Sequence, residues 1–321
     1  GVAEPYLDLA QGRLDAVLLH DIVAQRYGGK PGVHVVGSVG VGVYAAGVQR
    51  GQVSLLQAID RALDKLTKTG QLRAILERWE LYNARQLELA KTALAGESAA
   101  PHAAFRLTPH QLWLFTQGAL VTLAISASAM GLAVLLGLLL ALARLPSPFL
   151  LRKLLAAFGS VYVEVFRGTP VLLQLYVLYY GLAGLISLDA FTAAALGLGL
   201  NYAAYEAEIY RAGIQAVPHG EVEAARALGM SSFLTLRRVI LPHAIRFSLP
   251  GVANDFISLL KDSSLVSVIT VIELTKRMTI AAVDGRSWLL PGVLCAVLYL
   301  SMSYPLSLLA RGFERRLGGR K

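Results

Sequence analysis

The chain changes character near residue 110. Beyond that point polar residues thin out into short interruptions between long apolar runs. Residues 111–143, QLWLFTQGALVTLAISASAMGLAVLLGLLLALA, carry no formal charge before Arg144. A helix of about 20 apolar residues suffices to cross a bilayer. Gly168–Leu188 and Ser287–Ala310 are also uncharged. Ala190–Tyr205 is apolar until Glu206, and Phe247–Ile272 is interrupted by Asp255, Lys261 and Asp262. This pattern predicts five spans, at roughly 111–143, 160–186, 190–216, 246–272 and 287–311. Small residues recur every four positions at Ala129, Ala133, Gly137 and Ala141 and again at Ala195, Gly199, Ala203 and Ala207. Such spacing predicts close helix packing rather than chemistry. Gly168-Thr169-Pro170 is expected to break or kink the second span, because proline and the residue before it resist the helix.

The first 90 residues read differently. RLDAVLLH (Arg13–His20) and VHVVG (Val33–Gly37) look like short buried strands, and VGVGVYAAG (Val39–Gly47) alternates like another. SLLQAIDRALDKLTKTG (Ser54–Gly70) predicts an amphipathic helix with Leu55, Ile59, Ala62, Leu63 and Leu66 on one face, Ser54 as N-cap and Gly70 as C-terminal stop. QLRAILERWEL follows as a second helix. Lys91–Pro109, rich in Ala, Ser, Gly and Pro, reads as a linker. The expected organisation is a partial α/β domain over 1–90, a linker over 91–110 and a helical membrane domain over 111–321.

Composition agrees. The 321 residues are 55% hydrophobic and 16% charged, with a formal net charge of +9. Residues 1–100 hold 11 Lys/Arg against 10 Asp/Glu, whereas residues 101–321 hold 19 against 11. The apolar part is therefore also the basic part, with its cations flanking apolar runs. That excludes the polar basic surface of a nucleic-acid binder and fits basic cytoplasmic loops. Arg144, Arg152 and Lys153 follow span one, Arg226, Arg237, Arg238 and Arg246 follow span three, and Arg311, Arg315, Arg316, Arg320 and Lys321 follow span five. Only Lys276, Arg277 and Arg286 sit in the connection between spans four and five. The expected orientation puts the N-terminus outside and the C-terminus in the cytoplasm. Export of about 100 polar residues ahead of the first span leads us to expect a natural precursor that begins earlier. Cys295 is the single cysteine, inside an apolar run, and reads as a packed residue. The six histidines are scattered and suggest no metal site.

One charged segment then stands out. GEVEAARAL (Gly220–Leu228) is built from strong helix formers. Ala224, Ala225 and Leu228 form a narrow apolar stripe. Gly229 is placed to end the helix in a left-handed conformation, Ser231 or Ser232 to cap the next, and Pro242 follows. A compact helix-turn-helix between spans three and four, with an apolar stripe, suits docking into a groove.

Glu223-Ala224-Ala225, then Gly229, then Leu241-Pro242 resembles the EAA loop of ABC-transporter permeases. Val239 stands where that motif usually has Ile, and Glu221 where it commonly has Gln. FRGTPVLLQLYVLYYGL (Phe166–Leu182), AAYEAEIYRAGI (Ala203–Ile214) and NDFISLLKDSSLVSVI (Asn254–Ile269) resemble the permeases of polar amino-acid uptake in that superfamily. DLAQGRLDAVLL, GVGVYAAG and LLQAIDRALDKLTKTGQLRAILERWEL resemble the C-terminal part of a periplasmic amino-acid-binding protein. The resemblance implies a mainly α fold: a five-span type I importer permease bundle behind a partial α/β binding domain. It implies a multi-pass protein of the bacterial inner membrane and an ATPase-coupling segment at Glu221, Glu223, Ala224, Ala225, Leu228 and Gly229. It also implies a separate cytoplasmic ABC ATPase dimer that binds ATP and Mg, a second permease copy or sister permease, and a polar amino acid as substrate. Asp21 is the candidate ligand-holding aspartate of the binding domain.

The chain itself has no P-loop. Its Gly29-Lys30 pair is followed by Pro31 and lacks the required spacing. No enzymatic constellation is evident, and no cofactor is expected to bind this chain. Polar residues within spans are candidates for a substrate path: Gln174, Asn201, Tyr205, Glu208, Asn254 and Asp255. The pairs Glu164/Arg167 and Glu208/Arg211, spaced i,i+3, can instead neutralise each other. The alternative class is a ligand-gated channel or receptor with a binding-protein-like extracellular domain. It would need a re-entrant pore segment and would have no use for the charged loop.

Overall fold

The computed structural model describes residues 51–79, 106–145, 149–186 and 188–318, together with Leu9, Gly12, 14–18, His20, His34, Val36, Val48 and Tyr82. Side chains are described as far as Gly312. The chain divides into two units, Gly1–Pro101 and His102–Lys321.

In the first unit, α1 (Val53–Lys68) and α2 (Gln71–Arg78) form a helical pair joined at Gly70, whose φ of 71° is the left-handed turn the sequence predicts there. The start of α1 differs from expectation. Gln52 is the N-cap and makes no side-chain cap bond, so Ser54 lies inside the helix. Residues 14–18, expected as a strand, are irregular, and no strand occurs among the described residues. Most of the other expected strand positions, and Asp21, lie outside them.

The second unit is helical. Its elements are α3 (Pro109–Ala143), α4 (Leu150–Gly168), α5 (Val171–Tyr176) with a π-helical turn (Val177–Gly181), α6 (Ala190–Gln215), α7 (His219–Ala227), α8 (Ser232–Thr235), a second π-helical turn (Leu236–Ile240), α9 (Leu241–Asp262), a 3₁₀ stretch (Ser263–Ile269), α10 (Leu274–Asp284) and α11 (Leu289–Gly318). Thr108 caps α3 by accepting from the Gln111 N–H, and Asp189 caps α6 by accepting from Thr192. Helix α3 and α11 through Gly312 are long and apolar enough to cross a membrane. The α4/α5 pair, bent by 104° between Gly168 and Val171, makes a third if counted as one span.

The core is the α3–α6 seam, where both small-residue series are used. Ala129, Ala133, Ala141, Ala203 and Ala207 are fully buried. A Cβ on Gly199 would stand 3.1 Å from the Ala129 carbonyl oxygen, and one on Gly137 would stand 3.0 Å from that of Ala203. The backbones thus approach where only glycine fits. Ile125, Leu175, Leu198, Leu259 and Ile269 extend this core towards α5, α9 and the 3₁₀ stretch. A second cluster joins α3, α10 and α11 through Phe115, Leu274, Ala281 and Cys295. Cys295 is buried there as a packed free thiol. The fully buried Glu273 ties these elements together. Its carboxylate accepts from the Thr275 and Lys276 backbone N–H groups at 2.7 Å each and from the Tyr299 hydroxyl at 3.0 Å.

Three corrections concern the predicted segments. The second apolar run belongs to two helices, and the first of them begins at Leu150 rather than near 160. The predicted fourth segment, 246–272, holds the end of a helix that starts at Leu241, then the 3₁₀ stretch. The connection carrying Lys276 and Arg277 is itself helical, as α10.

Candidate functional site

The break between α4 and α5 follows from Gly168-Thr169-Pro170. Thr169 is extended (φ −117°, ψ 145°), as the residue before proline should be, and Pro170 carries φ −63°. A broken helix leaves carbonyls without partners. Here side chains supply them. Gln174 Nε2 lies 2.9 Å from the Phe166 oxygen, 3.2 Å from the Thr169 oxygen and 2.7 Å from Thr169 Oγ1. Asn201 Nδ2 donates to the same Phe166 oxygen and to Gln174 Oε1, each at 3.0 Å. The Thr169 hydroxyl donates to the Val165 oxygen at 2.8 Å. The break is therefore held open by two amides from different helices.

It opens onto a cleft of about 500 Å³ bounded by α4, α5, α6 and α9. Arg167, Thr169, Asn201, Tyr202, Tyr205, Asp255, Ser258 and Asp262 line it. The Arg167 guanidinium lies 5.4 Å from the centre of the Tyr205 ring. The Tyr202 hydroxyl donates to Asp262 Oδ2 at 2.7 Å. The cleft thus offers one cation, two carboxylates and several hydroxyls inside an otherwise apolar bundle.

Of the six residues predicted for a substrate path, Asn201, Tyr205 and Asp255 meet at this cleft. Gln174 does not line it but braces its edge. Asn254 is exposed on α9. Glu208 faces away from it into a charge cluster. It pairs with Arg144 at the end of α3 and with Arg211 at 2.6 Å, while Arg144 Nε donates to Ser160 of α4 at 3.2 Å. The i,i+3 neutralisation expected at Glu208/Arg211 is thus present, with Arg144 as a further partner. The pair expected between Glu164 and Arg167 is not formed: Arg167 stacks on Tyr205 and lines the cleft instead. Arg144, Arg167 and Asp262 are site residues that sequence reasoning did not place on the substrate path. For Arg167 the signal was its place immediately before the break.

The charged segment forms α7, closed by two backbone bonds. The Met230 N–H donates to the Ala225 oxygen at 3.1 Å and the Gly229 N–H to the Arg226 oxygen at 2.9 Å, with Gly229 at φ 78°. This pairing is the Schellman arrangement that favours glycine. Ser231, rather than Ser232, caps α8 through the Leu234 N–H. The expected Ala224-Ala225-Leu228 stripe is divided. Ala225 is buried against the following turn, while Ala224, Glu221 and Glu223 are exposed and Leu228 is 82% exposed. Phe233, 71% exposed, adds an aromatic ring to the outer surface. Glu221 Oε2 lies 2.9 Å from Nδ1 of His243 on α9.

Comparison with known proteins matches this helical unit. The chain is 34% identical over 214 residues to a putative glutamine transport system permease protein, GlnP, of Rickettsia bellii, covering 66% of this chain and 96% of that protein. It is 39% identical over 214 residues to the L-cystine transport system permease protein TcyB of Bacillus subtilis, covering 66% and 90%. Among solved structures, an amino acid ABC transporter crystallised with histidines is 42% identical, with a TM-score of 0.59, covering 63% of this chain and 94% of that one. The inward-facing MetNI methionine ABC transporter, 20% identical with a TM-score of 0.57, shares the fold. Residues 133–319 match the family model described as binding-protein-dependent transport system inner membrane component, and the chain belongs to that family.

Proposed function

We propose that this chain is the permease subunit of an ATP-driven importer of polar amino acids. It spans the inner membrane five times, with its N-terminus outside and its C-terminus in the cytoplasm. The α4–α5 break with its cleft is the observation that carries the reading. Discontinuous helices that put irregular backbone beside a polar cavity are how membrane proteins hold a polar solute at depth. Asn201, Tyr205 and Asp255 line the path. Asp255 suits the ammonium group of an amino acid, and Arg167 suits its carboxylate. Gln174 keeps the break in register, and Glu208 fixes α3, α4 and α6 beside it. The relatives named as glutamine and cystine permeases support this substrate class.

The α7 segment is the coupling helix. Glu221, Glu223, Ala224, Leu228 and Gly229 present it to a cytoplasmic ATPase dimer that binds ATP and Mg, and Ala225 seats it on the turn that follows. From Ser232 the chain runs helically through the second π turn to Asp262. Displacement of α7 is thereby carried to Asp255 and Asp262 in the cleft. A second permease copy or sister permease completes the path. Residues 1–90 are a partial extracytoplasmic substrate-binding domain with Asp21 as ligand-holding candidate, and 91–110 a linker. A ligand-gated channel is not favoured, because the matching relatives are transport permeases.

The test is ATP-dependent uptake of a panel of polar amino acids into vesicles holding this chain and its ATPase, with the variant Gly229→Asp alongside. Uptake by the parent chain and its loss in the variant are expected. Full uptake and ATP turnover in Gly229→Asp would remove the coupling role from α7.

A further inference from the structure

The charged side chains lining the cleft do not balance. Arg167 contributes one positive charge, and Asp255 and Asp262 contribute one negative charge each, which leaves an excess of one carboxylate. Arg144 and Arg211 are held by Glu208, and Lys261 is exposed. An excess carboxylate inside an apolar bundle is costly until a cation joins it. A zwitterion such as glutamine is neutral and leaves the excess in place. A substrate with a net charge of +1 removes it.

The positions of the two carboxylates fit such a substrate. Asp255 and Asp262 both lie on α9 and both face the cleft, with Ser258 between them. Seven residues of helix rise about 10 Å and fall about 20° short of two full turns, so the two aspartates share a face. Asp255 Oδ2 has no hydrogen-bond partner. Asp262 accepts from the Tyr202 hydroxyl through Oδ2. That bond fixes its place, and a carboxylate with about four acceptor sites can still take further donors. The Arg167 guanidinium lies over Tyr205, three residues along α6 from Tyr202. In lysine six bonds separate the α-nitrogen from the side-chain nitrogen, an extended reach of about 7 Å at about 1.5 Å per bond. With a charge-assisted hydrogen bond of about 2.8 Å at each end, that reach covers the gap between the two aspartates. Arginine is longer by one bond. Glutamine presents only a neutral amide to the second carboxylate.

We propose that the cleft selects cationic amino acids, with Asp262 as the residue that reads the side-chain charge. This rests on the reading of the cleft as the amino-acid path. Arg167 takes the substrate carboxylate, Asp255 the α-ammonium group, and Asp262 the ammonium or guanidinium group at the end of the side chain.

Binding of L-lysine, L-arginine, L-glutamine and L-norleucine to the full-length chain in lipid nanodiscs, measured by calorimetry and by saturation-transfer NMR, gives the test. Norleucine has the carbon skeleton of lysine without the second ammonium group. Lysine and arginine should bind about tenfold or more tighter than glutamine and norleucine. Asp262→Asn should lose this preference, and its amide oxygen still accepts from Tyr202. Asp255→Asn should weaken all four ligands. The proposal is overturned if glutamine or norleucine binds wild-type protein as tightly as lysine, or if Asp262→Asn keeps the preference. Either result leaves the permease reading standing. Absence of binding by all four amino acids would overturn the proposal together with the reading of the cleft as an amino-acid path. The comparison of lysine with norleucine on wild-type protein decides even if a variant fails to fold.

Discussion

A methyl group added at Gly137 tests the central seam directly. An alanine Cβ there would stand 2.6 Å from the Glu206 Cβ, 3.0 Å from the Ala203 oxygen and 3.1 Å from the Ala207 nitrogen. The nearest of these is about 0.8 Å inside ordinary van der Waals contact. Two of the three neighbours are backbone atoms, which cannot rotate away, so α3 and α6 must part. Overpacking of this kind costs about 1–3 kcal/mol. Replacing a helical glycine by alanine also gains about 0.5–1 kcal/mol of chain entropy, which would blur the result if Gly137→Ala were measured alone. Gly131, in the same helix, is exposed and has nothing within 4 Å of its Cβ position. Gly131→Ala therefore shares the entropic gain without the collision. The difference between the two variants isolates the overpacking cost. At 2–4 °C per kcal/mol, Gly137→Ala should unfold about 2–12 °C below Gly131→Ala. Fluorescence-detected unfolding in the same detergent or nanodisc measures this. A Gly137→Ala midpoint equal to or above that of Gly131→Ala would refute the close α3–α6 approach.

Three further outcomes follow from other parts of the molecule. Gln174→Leu strips the Phe166 and Thr169 carbonyls of a donor and leaves Asn201 half-satisfied, so it should lower stability by about 1–3 kcal/mol. A double-mutant cycle with Asn201→Ala should then show non-additivity of about 0.5 kcal/mol or more, and strict additivity would refute the shared brace. Leu228→Ala removes a side chain that is 82% exposed, so unfolding should move by no more than about 0.5 kcal/mol, while co-purification of the ATPase falls about tenfold or more. The Asp189 carboxyl accepts from the Thr192 side chain and backbone N–H, which holds it below the usual carboxylate range. Its capping contribution is therefore fully present above the unfolded value of about 3.9 and is lost as pH falls through the lower folded value. Asp189→Ala should cost about 1 kcal/mol at neutral pH, whereas Asp189→Asn should retain most of the cap and show no such loss in acid.

Local signals in the sequence reported local structure well and tertiary partnerships poorly. The four-residue spacing of alanine and glycine announced the α3–α6 seam, because close helix approach needs small residues in that register. Gly168-Thr169-Pro170 announced the break, and Gly229 the end of α7, because each reflects a backbone restriction that acts within a few residues. The start of α4 was hidden because Arg152 and Lys153 interrupt the apolar run, although Leu150, Leu151, Leu154, Leu155 and Phe158 carry an exposed apolar face through them. Helix α10 was hidden for the same reason by Lys276 and Arg277. Proximity along a helix also misled at Glu164/Arg167. An i,i+3 spacing allows a pair, but the face of Tyr205, 38 residues later, competes for the guanidinium. Asn201 was legible as a polar residue in a span. Its job at the Phe166 carbonyl was not, because that depends on how α6 packs against the end of α4.

The distribution of charge inside the bundle shows why the cleft lies where it does. An apolar chain keeps an internal ionisable group at a cost, and most such groups here are matched within the chain. Glu208 is shared by Arg144 and Arg211, Glu273 is enclosed by backbone and tyrosine donors, Asp262 receives Tyr202, and Arg167 lies on an aromatic face. Each of these four groups joins two different helices, so they read as fixed joints of the scaffold. Asp255 and Glu206 differ in that their unpartnered oxygens remain. Both sit on the α6–α9 pair. Helix α9 is also the one that continues, through α8 and the second π turn, from the exposed helix α7. On the reading of α7 as a coupling helix, its motion would reach the helix that carries Asp255.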